Sequence, residues 1–130
     1  MGQPAAKMGD TVTANDIHIV LVPSPGGPVP TPMPFPFVGK ITSECVETVL
    51  IGGMAAAVVG SQAVNEPPHI PVGGTFQVPP TNQATIQMGS ETVLIGGQPA
   101  ARNGDTALTC NDPTPLPSGT VVAVSTVLIG

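Results

Sequence analysis

The residues able to hold a metal or move a proton are few, and their placement is regular. The 130-residue chain has two His and two Cys, and three of these four fall at matching places. From Gly2 to His18 is 16 residues, and from Gly53 to His69 is also 16; from Gly97 to Cys110 is 13. A proline-rich stretch follows each: His18-Ile19-Val20-Leu21-Val22-Pro23, His69-Ile70-Pro71 and Cys110-Asn111-Asp112-Pro113. Imidazole nitrogen and thiolate sulfur are the donors zinc takes, and iron accepts the same mixed set. If the three places converge, His18, His69 and Cys110 make a metal site. Cys45, just ahead of a β-branched run, is the candidate fourth ligand. Water or a backbone group can fill that position instead, and a Cys45–Cys110 disulfide is the competing use of the two thiols.

The pattern favours a structural metal over a catalytic one. A catalytic zinc needs an open coordination position and a general base nearby. Glu44, Glu47, Glu66 and Glu91 are available, but none sits in an H-E-x-x-H arrangement. No Ser-His-Asp or Cys-His constellation is recognisable, and no Gly-rich phosphate loop leads into a helix. The chain has no Trp or Tyr and only three Phe, so a metal staple suits its small aromatic core. The expectation is a protein that is not an enzyme. A zinc hydrolase, with an exchangeable metal-bound water and an essential Glu, is the minor competitor.

What must position these residues is a repeat. Thr48-Val49-Leu50-Ile51-Gly52-Gly53 recurs as Thr92-Val93-Leu94-Ile95-Gly96-Gly97, and again at the end as Thr126-Val127-Leu128-Ile129-Gly130. Gln98-Pro99-Ala100-Ala101-Arg102-Asn103-Gly104-Asp105 matches Gln3-Pro4-Ala5-Ala6-Lys7-Met8-Gly9-Asp10. Met54-Ala55-Ala56-Ala57-Val58-Val59-Gly60-Ser61 is a weaker copy without the Pro, the basic residue or the Asp. The first copy lacks its leading strand and the last lacks its trailing half, so the C-terminal strand is expected to complete the N-terminal copy. Three such units imply a closed, pseudo-threefold ring, which removes the free edges of an open array. Each Thr-Val-Leu-Ile run reads as a short strand, each Gly-Gly as a tight turn. The Ala pairs read as close-packing devices at the axis.

Composition agrees. Sixteen Gly and 17 Pro exclude a helical bundle. The 41% hydrophobic content, with its Val, Ile and Leu clustered, argues against disorder, and no apolar run is long enough for a spanning helix. The expectation is one all-β domain over residues 1–130, with short strands and Pro-rich loops. Three basic residues and a net charge of −5 make nucleic acid a poor partner. Charged residues are only 8%, which points to a surface partly covered by another protein. The N-terminus lacks the apolar core of a signal peptide, so synthesis in the cytoplasm is expected. The proline segments at 22–37, 67–80 and 112–117 read as stiff, extended excursions packed on the body or on a partner; a free SH3-type ligand is the lesser reading.

The motif Gln-Pro-Ala-Ala-Arg/Lys-x-Gly-Asp at 98–105 and 3–10, with the Thr-Val-Leu-Ile-Gly-Gly strands and Gly104-Asp105-Thr106-Ala107-Leu108-Thr109-Cys110, resembles the PAAR-repeat (proline-alanine-alanine-arginine) proteins. The stretch His18 to Pro30 is similar to the branch found with phage-tail-like contractile injection systems. The resemblance implies a small cone that caps the trimeric VgrG-like spike of a contractile tail or type VI secretion system and aids membrane puncture, one tip per trimer. It implies a structural metal near the apex, zinc or iron, carried here by His18, His69, Cys110 and, as the candidate fourth ligand, Cys45. Gly52, Gly53, Gly96 and Gly97 would then lie near the base that meets the spike. The tip would carry no fused toxin, touch the target membrane transiently, and leave the cell on firing. Anchoring of effector cargo, through the proline segment at 23–37, is the alternative role.

Overall fold

Short β-branched runs and glycine punctuation become strands throughout. The computed structural model describes residues 2–130. Its strands are β1 (Gln3–Pro4), β2 (Thr11–Val22), β3 (Val29–Ser43), β4 (Val46–Ile51), β5 (Met54–Ala56), β6 (Gln62–Asn65), β7 (Thr75–Phe76), β8 (Gln83–Ile86), β9 (Leu94–Ile95), β10 (Gln98–Pro99), β11 (Thr106–Thr109), β12 (Leu116–Val122) and β13 (Leu128–Ile129).

Six of them close on themselves. Their order is β12-β11-β8-β6-β3-β2, with β12 pairing back onto β2, all antiparallel. The ring is three hairpins, one from each copy: β2–β3, β6–β8 and β11–β12. Closure leaves the ring itself without an edge. Val12, Phe37, Ile41, Ile86, Ala107 and Val121 fill its interior.

The repeated motif sits under the barrel and shows the threefold relation most directly. The Ala6 N–H donates to the Ala101 carbonyl at 2.9 Å, Ala101 to Ala57 at 3.0 Å, and Ala57 to Ala6 at 3.0 Å. A second triangle joins Met8 to Ala55 (2.8 Å), Val59 to Pro99 (2.9 Å) and Asn103 to Pro4 (2.8 Å). Ala5, Ala6, Ala56, Ala57, Ala100 and Ala101 are all fully buried. Three backbones this close leave room for a methyl group and little more, which is why the motif keeps alanine even in its weakest copy.

Each motif then turns through a glycine in the left-handed region, Gly9, Gly60 and Gly104 at φ 95°, 99° and 91°. The residue after it closes the turn. Asp10 Oδ2 accepts the Lys7 N–H (3.0 Å), Asp105 Oδ2 accepts the Arg102 N–H (2.7 Å), and Ser61 Oγ accepts the Val58 N–H (3.0 Å).

Below the motif lie the Thr-Val-Leu-Ile strands. Ile51 pairs with Met54 and Ile95 with Gln98 across Gly-Gly turns, and Ile129 pairs with Gln3 in the same way. The chain ends thus meet where the other two copies turn, and the C-terminal strand completes the N-terminal copy. Ile51 and Ile129 are buried with Ala5, Ala56 and Ala100 in a second, smaller core.

The first proline segment departs from the loop expected of it. Val29–Ser43 is one 15-residue strand, paired in unbroken register with the 12-residue β2 from Thr11↔Lys40 to Val22↔Val29. Proline occupies alternate positions 30, 32, 34 and 36, and all four are exposed, while Phe35 and Phe37 between them turn inward. Two-residue periodicity is that of a strand, and it overrides the polyproline geometry that the composition suggests. Because β6, β8 and β11 have four residues each, the β2–β3 hairpin projects beyond the barrel. β7 flanks it, pairing Phe76 with Val20.

Candidate metal centre

At the barrel end opposite the alanine triangles, β2 carries two polar side chains on its inward face. Alternation along Val12, Ala14, Asp16, His18 and Val20 places Asp16 and His18 where the lower positions are apolar. His69 enters from the loop after β6, and Cys110 directly follows β11. One donor atom from each of Asp16, His18, His69 and Cys110 lies within 4.8 Å of the others. Asp16 is 0% and His18 1% exposed, and the His69 side chain is 3% exposed. All three phenylalanines of the chain surround the imidazoles, with Phe35 5.8 Å and Phe76 5.9 Å from the His18 ring and Phe37 6.1 Å from that of His69.

Asp16 is the hub. Oδ2 lies 2.9 Å from Nε2 of His69 and accepts the Cys110 thiol proton at 3.3 Å; Oδ1 accepts the Thr109 hydroxyl at 2.6 Å. Asn65 buttresses His69: its Oδ1 accepts the Val38 N–H (2.9 Å), and its Nδ2 lies 3.2 Å from Nδ1 of His69. Burial, and secondarily the Asp16 carboxylate, push the Cys110 thiol up to about 11.

Two observations say that this donor set fits a cation. First, both ring nitrogens of His18 are buried without a hydrogen-bond partner among the described residues; Asp112 Oδ1, 3.5 Å from Nδ1, is close but out of hydrogen-bond geometry. A buried polar group without a partner is costly. Second, no Lys or Arg among the described residues stands beside the buried Asp16 carboxylate. Lys7 and Arg102 pair with Asp10 and Asp105 at the motif turns, and Lys40 is exposed. A divalent ion answers both. It gives His18 a bond and Asp16 a countercharge, and it stabilises the Cys110 thiolate that burial alone disfavours. One oxygen, two nitrogens and one sulfur at these separations suit tetrahedral zinc, with iron also accommodated.

His18, His69 and Cys110 thus stand together, while Cys45 stands apart. Its Sγ is 3.7 Å from the Ser43 carbonyl. It packs at the margin of the barrel core beside Ser61, at the motif-turn end. β3 ends at Ser43, and continuing the chain carries Cys45 away from the site; the fourth side chain gathered there is Asp16. Both thiols are free, so the disulfide is also excluded. Sequence reasoning missed Asp16 because it followed the repeat register. The available signal was the Asp16-x-His18 spacing, which puts a carboxylate on the same strand face as a ligand.

A closed barrel on a threefold turn motif, with a buried His, Cys and Asp cluster at its far end that could hold a metal ion, defines a small all-β domain. A family model for the PAAR motif matches residues 22–113. The chain belongs to the PAAR family, spike-tip-associated structural proteins whose known setting is type VI secretion. No curated protein matches it. His69 and Cys110 lie inside the matched segment, and Asp16 and His18 precede it.

Proposed function

We propose that the chain caps a trimeric VgrG-like spike and hardens its leading end with one structural zinc held by Asp16, His18, His69 and Cys110. The observation that carries the capping role is at the Gly-Gly end. Leu50, Leu94 and Leu128, the same residue of the three repeated strands, are 63%, 65% and 63% exposed. Val49 and Val127 are exposed beside them. Three matching apolar side chains held out to solvent around a pseudo-threefold axis suit a threefold protein surface and are wasteful in water. Bound metal would supply crosslinking: it joins β2, the loop after β6 and the end of β11, one element from each copy, so the barrel end cannot splay.

The test is assembly with a trimeric spike, read by the mass of the complex. One chain per trimer is expected. Leu94→Glu should weaken that binding about 100-fold or more, as for the loss of a central apolar anchor, with little change in melting temperature because Leu94 is 65% exposed. Undiminished binding of Leu94→Glu would refute this base. A role in anchoring cargo draws support from the projecting β2–β3 hairpin, whose turn at 23–28 is exposed. Replacing that turn should spare binding to the spike and lose the cargo.

A further inference from the structure

The four prolines of β3 do something that neither the barrel nor the metal centre requires. Backbone direction along β3 follows from its hydrogen bonds. Ile41 donates to the Asp10 carbonyl and accepts from Gly9, both on the β2 side. Val38 donates to Asn65 Oδ1, and its carbonyl accepts from Glu66, both on the side away from β2. The register is unbroken. Odd-numbered residues of β3 therefore bond toward β2, and even-numbered residues turn their N–H and C=O outward.

The other strand of the hairpin agrees. Ile17 and Ile19, opposite Pro34 and Pro32, direct their N–H groups away from β3, to Asn111 Oδ1 (2.7 Å) and Asp112 Oδ2 (2.8 Å). Pro30, Pro32, Pro34 and Pro36 are thus the four residues whose N–H would point off the outer edge. No described strand pairs with that edge before Gly39, where β6 begins. The edge offers four carbonyl acceptors and no donor over 30–37.

Both sides of the hairpin are closed, by different means. The outer side of β2 is covered by Asn111, Asp112 and β7. The outer side of β3 is stripped of donors and has no paired strand among the described residues before Gly39, with the loop after β6 bordering it only at Phe35–Val38. Proline in a strand is tolerated where its missing N–H faces solvent, and an edge without N–H groups cannot complete an antiparallel ladder. Prolines at the odd positions would have cut the β2–β3 hairpin itself.

We infer that this alternating proline series is a guard against strand addition: it keeps the projecting hairpin from pairing edge to edge with a second copy of this chain. Without it, a long, uncharged edge would be open to pairing. The occupant refused is a second β3, because two such edges brought together contribute only acceptors.

The test restores the missing donors. Pro32→Thr/Pro34→Thr adds two outward N–H groups. A matched chain with N-methylalanine at 32 and 34 opens the rings but adds none; it can be assembled by ligating a synthetic 1–44 segment to a fragment beginning at Cys45. Sedimentation over a concentration series reads association, and amide exchange reads the new N–H groups. The original chain and the N-methylalanine chain should stay monomeric. The Thr variant should self-associate, with its amides at 32 and 34 exchanging freely when dilute and at least about tenfold more slowly when associated. Three results would overturn the inference: a folded Thr variant that stays monomeric, equal association of the N-methylalanine chain, or protection of the new amides in the dilute monomer. Should the double variant not fold, Pro34→Thr alone puts the same question with one donor.

Discussion

At the scale of single residues, the repeated motif separates what is structural from what is only charged. The Asp of the outer copies and Ser61 of the middle copy make the same bond to the backbone N–H three positions earlier. The Lys7–Asp10 and Arg102–Asp105 ion pairs add to that bond at part-buried side chains, with Arg102 gripping both carboxylate oxygens of Asp105. Asp105→Ser keeps the backbone bond and loses the Arg102 pair, so it should cost less than Asp105→Ala; Ser61→Ala, which loses only the bond, should cost about 1 kcal/mol, measured by denaturant unfolding. At the metal centre, Cys110 gives a pH signature. Its folded-state value, about 11, lies above the ordinary 9.0. The metal-free protein holds the proton more tightly when folded. The associated stability is complete below pH 9 and disappears as pH rises through about 11. Thermal melts in chelator should show that fall, and Cys110→Ser should remove it. Asn65 and Asp112 do not reach the ligand set but bear on its histidines. Asn65→Ala should weaken metal affinity about tenfold or more, as read by competition with a chromophoric chelator.

At the scale of elements, the legible parts of the fold were those the chain states more than once. Threefold closure, the C-terminal strand completing the first copy, and the burial of the Ala pairs follow from three copies in fixed order. The alanine triangles give a sharp prediction: Ala57→Val forces a branched side chain between backbones 3.0 Å apart in hydrogen-bond contact. It should cost at least about 1–3 kcal/mol, seen as a lowered unfolding midpoint. Features stated once were harder to read. Prolines at 30, 32, 34 and 36 look like a polyproline segment by composition. Their strand character depends on β2 lying alongside, a tertiary fact. Asp16 had no counterpart in the other copies, and a lone carboxylate carries no metal signal until the strand face is known. Cys45 looked close to the site because it precedes a strand, yet β3 descends past the barrel before Cys45 is reached.

At the scale of the whole molecule, the chain is graded from one end to the other. The Gly-Gly end exposes three equivalent leucines, the middle is sealed by backbone triangles and the barrel core, and the far end gathers four donors inside a shell of phenylalanine. Exact repetition is strongest where a threefold partner would sit and fades toward the candidate metal centre, where one copy supplies Asp16 and His18 and the others one donor side chain each. That grading is what a tip needs if symmetry serves docking and a single ion serves hardness. The claim that ties these ends together is the ion. Elemental mass spectrometry of protein never exposed to chelator tests it most directly, with Asp16→Ala, His18→Ala and Cys45→Ser prepared alongside. The account predicts about one zinc or iron per chain, lost from the Asp16 and His18 variants and retained by Cys45→Ser. Metal-free protein, or metal that survives Asp16→Ala and leaves with Cys45→Ser, would contradict it.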